Sequence, residues 1–311
     1  MIKYNLKNNI KDRLFYRGSR LVGWFVVILI VLMLGVMLSY SWPAIKEFGF
    51  RFIISQEWNP VTDKFGALPF IYGSLITSVI SLVIAIPLGI GSAIFLTEIA
   101  PKKIRQPLGF VIELLAAVPS VIYGFWALFV LTPAIRDYIQ PFLNRHLGFL
   151  TFFQGPMAGV GILAAGIILA IMILPIITSI TRDVLEAVPE EQRQAMLAMG
   201  ATRWETVWHI VLPYGKAGII GAIILAFGRA VGETMAVTMV IGNVNRISYS
   251  FFAMGNTMSS VIANEFNEAA SNLHLGALVE LGLVLFVITL ILNVLARILI
   301  YYTTNSYEKE V

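Results

Sequence analysis

The chain has no cysteine, so neither a disulfide framework nor thiol chemistry is open to it. Charge is scarce: Asp, Glu, Lys and Arg make up 13% of the 311 residues, against roughly 25% in a soluble globular domain. The three histidines, His146, His209 and His274, lie far apart with no metal-ligand spacing. No GxxxxGK[ST] phosphate-binding loop occurs, and no hydrolase triad. The run from Gly159 through Gly161 to Ala164 matches a dinucleotide fingerprint by letters alone. It lies in an apolar stretch with no preceding strand, so it reads as helix packing inside a membrane span. These absences exclude a thiol or metal enzyme and a chain that hydrolyses nucleotide itself. They predict no cofactor and no metal on this chain. Uphill work, if any, must draw on an ion gradient or another polypeptide.

What the sequence does have is apolar length. Hydrophobic residues make up 58% of it, more than a soluble core of this size needs. Charge-free runs cover Leu21–Ile45, Phe65–Thr97, Leu114–Ile135 and Leu147–Thr181. Ala217–Ile241 is interrupted by Arg229 and Glu233, and Gly276–Ala296 by Glu280. A span needs about 20 apolar residues, so the expectation is an all-α integral membrane protein with six transmembrane helices. The first run is longer than a signal-peptide core and lacks a clear cleavage site, so it reads as a retained anchor.

Fifteen of the 22 Lys and Arg residues fall in segments 1–20, 98–107, 182–216 and 297–311; six fall in the alternate segments, and the last is Arg229. The positive-inside bias places both termini and the 182–216 loop in the cytoplasm. The net charge of +4 then reflects loop topology, not affinity for nucleic acid. Pro87, Pro119 and Pro175 fall inside successive spans and predict bent helix walls. Glu113 and Glu280 lie near predicted span ends and are expected to reach interfacial water. Glu98 and Lys102-Lys103 are expected to mark the inner membrane surface.

Arg229 and Glu233 are the chemistry-bearing pair. Their spacing of four puts both on one helix face, about 18 Å into the span that begins at Ala217, at 1.5 Å per residue. An ionisable residue at that depth costs about 2.5–3.5 kcal/mol on insertion scales. One reading is mutual neutralisation. The other is an anion site, because a guanidinium fork suits a tetrahedral oxyanion. The carboxylate beside it can accept a hydrogen bond from a hydrogenphosphate, whereas sulfate has no proton to donate. Gly228 and Gly232 flank the pair in GxxxG spacing, which serves either packing within the chain or approach of a partner helix.

A second polar interruption, Gln194 to Pro213, reads QAMLAMGATRWETVWHIVLP. Gln194-Ala195-Met196, Gly200, Ile210, Leu212 and Pro213 resemble the cytoplasmic signature of the ABC-transporter permeases of importers: Glu-Ala-Ala, three residues, Gly, nine residues, Ile-x-Leu-Pro. Gln replaces Glu and Met replaces the second Ala. The resemblance narrows to the PstC-type permease of the phosphate-specific import system over Trp58–Ser78, Ile84–Pro101, Leu114–Gly124, Gly228–Asn243, Ala263–Ala269 and Ala277–Thr289.

That resemblance implies a type I ABC importer permease fold in the cytoplasmic (inner) membrane. Residues 1–20 would form a cytoplasmic segment and 21–65 the first transmembrane helix and outer loop. Residues 66–300 would form a five-helix core containing coupling loop 182–216, and 301–311 a cytoplasmic tail. It implies that Arg229, Glu233 and Thr234 line the substrate path, and that 194–213 seats in an ATPase subunit, with Gly200 at the turn after the coupling helix. The implied partners are a PstA-like second permease, an ATPase dimer carrying ATP and magnesium, an external phosphate-binding protein and membrane lipid. Competing readings are a permease for molybdate or sulfate, a proton-coupled secondary transporter using Glu233, and a non-transporting scaffold. A secondary transporter has no use for the Gly-x9-Ile-x-Leu-Pro element.

Overall fold

The computed structural model describes residues 10–307. Residues 1–9 and 308–311, parts of the expected cytoplasmic segment and tail, lie outside the described residues. Among the described residues the chain is helical, with one isolated antiparallel bridge between Asn59 and Lys64. Among the described residues five helices are long and apolar enough to cross a membrane, and the number is six if one bent helix pair counts as a single span.

Helix α1 (Ile10–Phe48) contains the first expected span and begins well before it. Its most apolar stretch is buried nowhere within this chain. Only its outer end is covered: Ser41 and Ala44 are buried, and Gly276 lies against Tyr40 and Ala44. Helix α2 (Leu68–Ile99) carries Pro69 in its first turn, where a missing N–H costs nothing. Its buried face, Phe70, Ser74, Thr77, Ser81, Ala85, Gly89 and Ala93, recurs at the helical period.

The third expected span, Leu114–Ile135, is not one straight helix. Helix α3 (Lys102–Ala117) and helix α4 (Ser120–Leu147) meet at a bend of 93°. Pro119 causes it: the residue before a proline is driven out of the helical region, and Val118 sits at φ −66°, ψ 129°. The fourth expected run begins at the last residue of α4, passes through a single 3-10 turn at Thr151–Phe153, and enters its long helix only at Ile162, where helix α5 (Ile162–Glu186) starts. Gly159 and Gly161 therefore belong to the lead-in of α5 and not to a packed helix face. Gly161 stands at φ +147°, and a Cβ there would fall 2.6 Å from the Ala253 carbonyl. The first amides of α5 are satisfied from the end of the short helix that closes at Val240 and from the loop after it, with Gly161 donating to Val240, Ile162 to Ala253 and Leu163 to Phe251 at 2.8–3.0 Å. α5 is the buried centre of the bundle and packs along α2. Small residues set that approach: a Cβ on Gly166 would lie 2.4 Å from Ile80.

After α5 the chain makes helix α6 (Glu190–Ala198), turns, and enters helix α7 (Arg203–Val231). The fifth expected span, Ala217–Ile241, is broken at Gly232. A short helix α8 (Met235–Val240) follows, then helix α9 (Met258–Glu265) and helix α10 (Asn272–Tyr307). α10 contains the sixth expected span and runs on into the expected tail.

Trp58, Phe65 and Phe70 close the outer end of the bundle over Met258, Leu278 and Leu281. Glu265 organises this end: its carboxylate accepts from Trp58 Nε1 at 2.8 Å and pairs with His274 Nε2 at 3.0 Å. This cover corrects the expectation for Glu280, which does not reach water. It is buried, with Oε2 lacking a hydrogen-bond partner. Glu113 remains half-exposed and pairs with Arg182 at 3.1 Å.

Candidate functional site

Arg229 occupies the last turn of α7, beside a helix break, instead of the middle of a continuous helix. Gly232 ends α7, with its N–H bonded to the Gly228 carbonyl at 3.3 Å. Glu233 donates its N–H to Ala230 at 3.3 Å, and its own carbonyl accepts from Ser259 Oγ at 2.7 Å. α9 thus fixes the break from outside. Thr234 opens α8 at φ −112°, ψ −67°, and its carbonyl accepts from Thr238 Oγ1 at 2.7 Å. Asn243, at φ +54°, continues the polar wall: its side chain donates to the Thr238 carbonyl and accepts from Ser260 Oγ.

The i,i+4 pairing survives the break. An Arg229 guanidinium nitrogen lies 3.4 Å from Glu233 Oε2. The partners differ sharply in environment, with side-chain exposures of 49% for Arg229 and 4% for Glu233. A buried carboxylate needs a cation, so Glu233 holds one edge of the guanidinium. The remaining donors of Arg229 face open space. Gly228 lies beside them, and a Cβ added there meets nothing within 4 Å; one on Gly232 meets only the Gly228 carbonyl, at 3.5 Å. Among the described residues no helix packs on the GxxxG face at Gly228. Chemically the arrangement is an accessible fork of hydrogen-bond donors backed by a buried acceptor, suited to a protonated oxyanion.

The 194–213 element divides into an outward and an inward part. Gln194 and Ala195 are exposed and Met196 is half-buried on α6. Gly200 follows at φ +89° with open space around it, a conformation that disfavours any Cβ. Thr202 and Glu205 then form a reciprocal capping box at the start of α7. Ile210 and Leu212 pack on the cluster of Ala93, Leu185, Val188, Val211 and Ile219, and Pro213 is half-buried. The Ile-x-Leu-Pro residues thus anchor the element, and the first triplet is displayed.

Sequence reasoning missed Arg193, one residue before that triplet. Its guanidinium donates to the Leu185 carbonyl at 2.7 Å and the Val188 carbonyl at 3.0 Å. It also bonds Glu98 at 3.1 Å and Glu190 at 3.3 Å. Only a charge within a polar loop marked it, and its partner Glu98 is 95 residues away in sequence. Among the described residues no group of three or more His, Asp or Glu side chains could hold a metal ion.

Residues 85–303 match the family model described as binding-protein-dependent transport system inner membrane component. The chain belongs to that family. It is an inner-membrane permease subunit of an ABC importer, not an enzyme. It is 49% identical over 295 residues to the phosphate transport system permease protein PstC of Mesorhizobium japonicum, covering 93% of this chain and 89% of the relative. It is 45% identical to the protein of the same name from Pasteurella multocida, covering 95% and 93%. Among solved structures, a bacterial ABC transporter involved in import of the acidic polysaccharide alginate matches with TM-score 0.58 at 18% identity, covering 92% of this chain and 96% of that one. The MetNI methionine ABC transporter matches with TM-score 0.55 at 16% identity, covering 75% and 94%. The fold is that of the type I ABC importer permeases.

Proposed function

We propose that this subunit translocates inorganic phosphate, with Arg229 as the anion-binding group of the path and Glu233 as the acceptor for a phosphate proton. One observation carries the reading of the site: Arg229 is half exposed on an unpacked face while its ion-pair partner, Glu233, is buried. A phosphate arriving at the free edge of the guanidinium meets charge-assisted donors, and its P–OH can face the Glu233 carboxylate. Sulfate offers no such proton and leaves two anionic groups opposed. The names of relatives at 40–49% identity support the same cargo.

The second wall comes from a PstA-like permease whose helix approaches at Gly228. An ATPase dimer carrying ATP and magnesium seats on Gln194, Ala195 and Met196, and an external phosphate-binding protein delivers the anion. Because this chain has no phosphate-binding loop, nucleotide chemistry belongs to the ATPase. Proteoliposomes carrying the whole complex test the reading. Labelled phosphate should accumulate only with ATP, and Arg229→Ala should abolish accumulation. Undiminished uptake by that variant overturns the assignment, and sulfate uptake equal to phosphate overturns the role of Glu233.

A further inference from the structure

The coupling helix α6 has no buried residue of its own, yet a coupling helix must pass on force. Its anchorage is concentrated in Arg193, whose side chain is only 15% exposed. That guanidinium reaches three elements at once. Leu185 and Val188 offer carbonyls where α5 ends, and such orphan carbonyls attract a cation. Glu98, itself 17% exposed, stands in the last turns of α2. Glu190 closes the ring from the first turn of α6. Beside it, Arg105 at the start of α3 donates to the Thr97 carbonyl, tying α2 to α3. Both guanidiniums line one cavity of about 530 Å³ beneath α6, with Glu98, Glu190, Arg203 and Thr206.

We propose that Arg193 is the positioning residue that makes α6 and the inner ends of α2 and α5 move as one body, so that a shift of α6 becomes a shift of the transmembrane bundle. The inference rests on the reading of α6 as the seat of the ATPase. The physical basis is the number and kind of bonds. Four donor contacts converge from one planar fork, all of them charge-assisted, and a lysine at this place has a single ammonium in one position. Without the fork, α6 keeps only partly buried apolar contacts and its chain connections. It can then follow the ATPase without carrying α2 along.

The test measures ATP hydrolysis and anion uptake in the same proteoliposomes of the intact complex. Arg193→Ala is expected to leave hydrolysis by the partner within about twofold while phosphate moved per ATP falls about tenfold, as lost charged hydrogen bonds imply. Arg193→Lys should recover part of that ratio. Glu98→Gln should lower it less, and adding Glu98→Gln to Arg193→Ala should lower it no further. Hydrolysis and uptake falling together with the ATPase still bound, or an unchanged ratio, overturns the proposal. If Arg193→Ala does not assemble, the pair Arg193→Cys and Glu98→Cys decides, in a chain that has no other cysteine. Bridging the two thiols with a short bifunctional reagent should preserve transport, and transport lost on bridging and regained on reduction overturns the proposal. If wild-type vesicles accumulate sulfate or molybdate instead of phosphate, the cargo reading fails by itself. The ratio is then measured with that anion.

Discussion

Arg193 and Arg229 are the same side chain built into opposite situations. Arg193 is 15% exposed and has four acceptors from its own chain; Arg229 is 49% exposed and has one ion-pair partner. The inner end of the bundle is finished within this polypeptide, and the break in α7 is not. Guanidinium donors that the chain satisfies itself hold helices together. Donors that it leaves free at a helix break are available to something the chain lacks. The distinction underlies the two proposed roles, transmitting movement for Arg193 and meeting cargo for Arg229, and it can be broken by experiment.

The largest effect is expected at the free arginine. Arg229→Ala should lower phosphate uptake by about 100-fold, since charged hydrogen bonds contribute about 1.5–3 kcal/mol each. Because the buried Glu233 carboxylate then loses its cation, Arg229→Ala should also lower the thermal stability of the detergent-solubilised chain. Arg229→Lys keeps the charge and loses the fork, so it should lower uptake while thermal unfolding barely changes, and unchanged uptake by that variant would reduce Arg229 to a counter-ion. Next come two glycines with opposite surroundings. Gly166→Leu collides with Ile80 and should destabilise the isolated chain by about 1–3 kcal/mol, as overpacking does. Gly228→Leu meets nothing within 4 Å, so it should leave the isolated chain intact and block assembly or uptake of the complex. Calorimetry of the chain beside uptake by the complex reads both.

A smaller effect is expected at the acceptor. Glu233→Gln keeps the shape and removes the charge, so sulfate should compete with phosphate about tenfold better, one hydrogen bond's worth. Unchanged competition would leave Glu233 as a mere counter-ion. The smallest belongs to the turn after α6. Gly200→Val places a β-branched residue at φ +89° and costs about 1–2 kcal/mol. Membrane insertion should be intact and uptake reduced a few-fold, and loss of insertion would refute a role confined to coupling.

The apolar runs made the membrane class legible, because length and lack of charge are local properties; of the six expected spans, five are single helices and one is a bent pair. Spacing also showed that Arg229 and Glu233 share a face, and the ion pair at 3.4 Å agrees. The bend at Pro119 was legible as a kink, but its size of 93° was not. Apolarity extended the fourth and fifth spans too far. At residues 148–161 and again at Gly232 the α-helix is interrupted, and residues 240–253 accept from the first amides of α5. Glu280 sat near a predicted span end and is buried, with Oε2 lacking a hydrogen-bond partner. Arg193 was one charge in a polar loop until Glu98, 95 residues earlier, was seen beside it.

The sequence by itself determined the membrane class of this chain and the helix face that Arg229 and Glu233 share. Each follows from local composition, charge or period. Which arginine is satisfied and which is free, where the helices break, and which glycines are crowded were decided only by tertiary structure. Those depend on what other segments bring to within a few ångströms, and no local pattern encodes that.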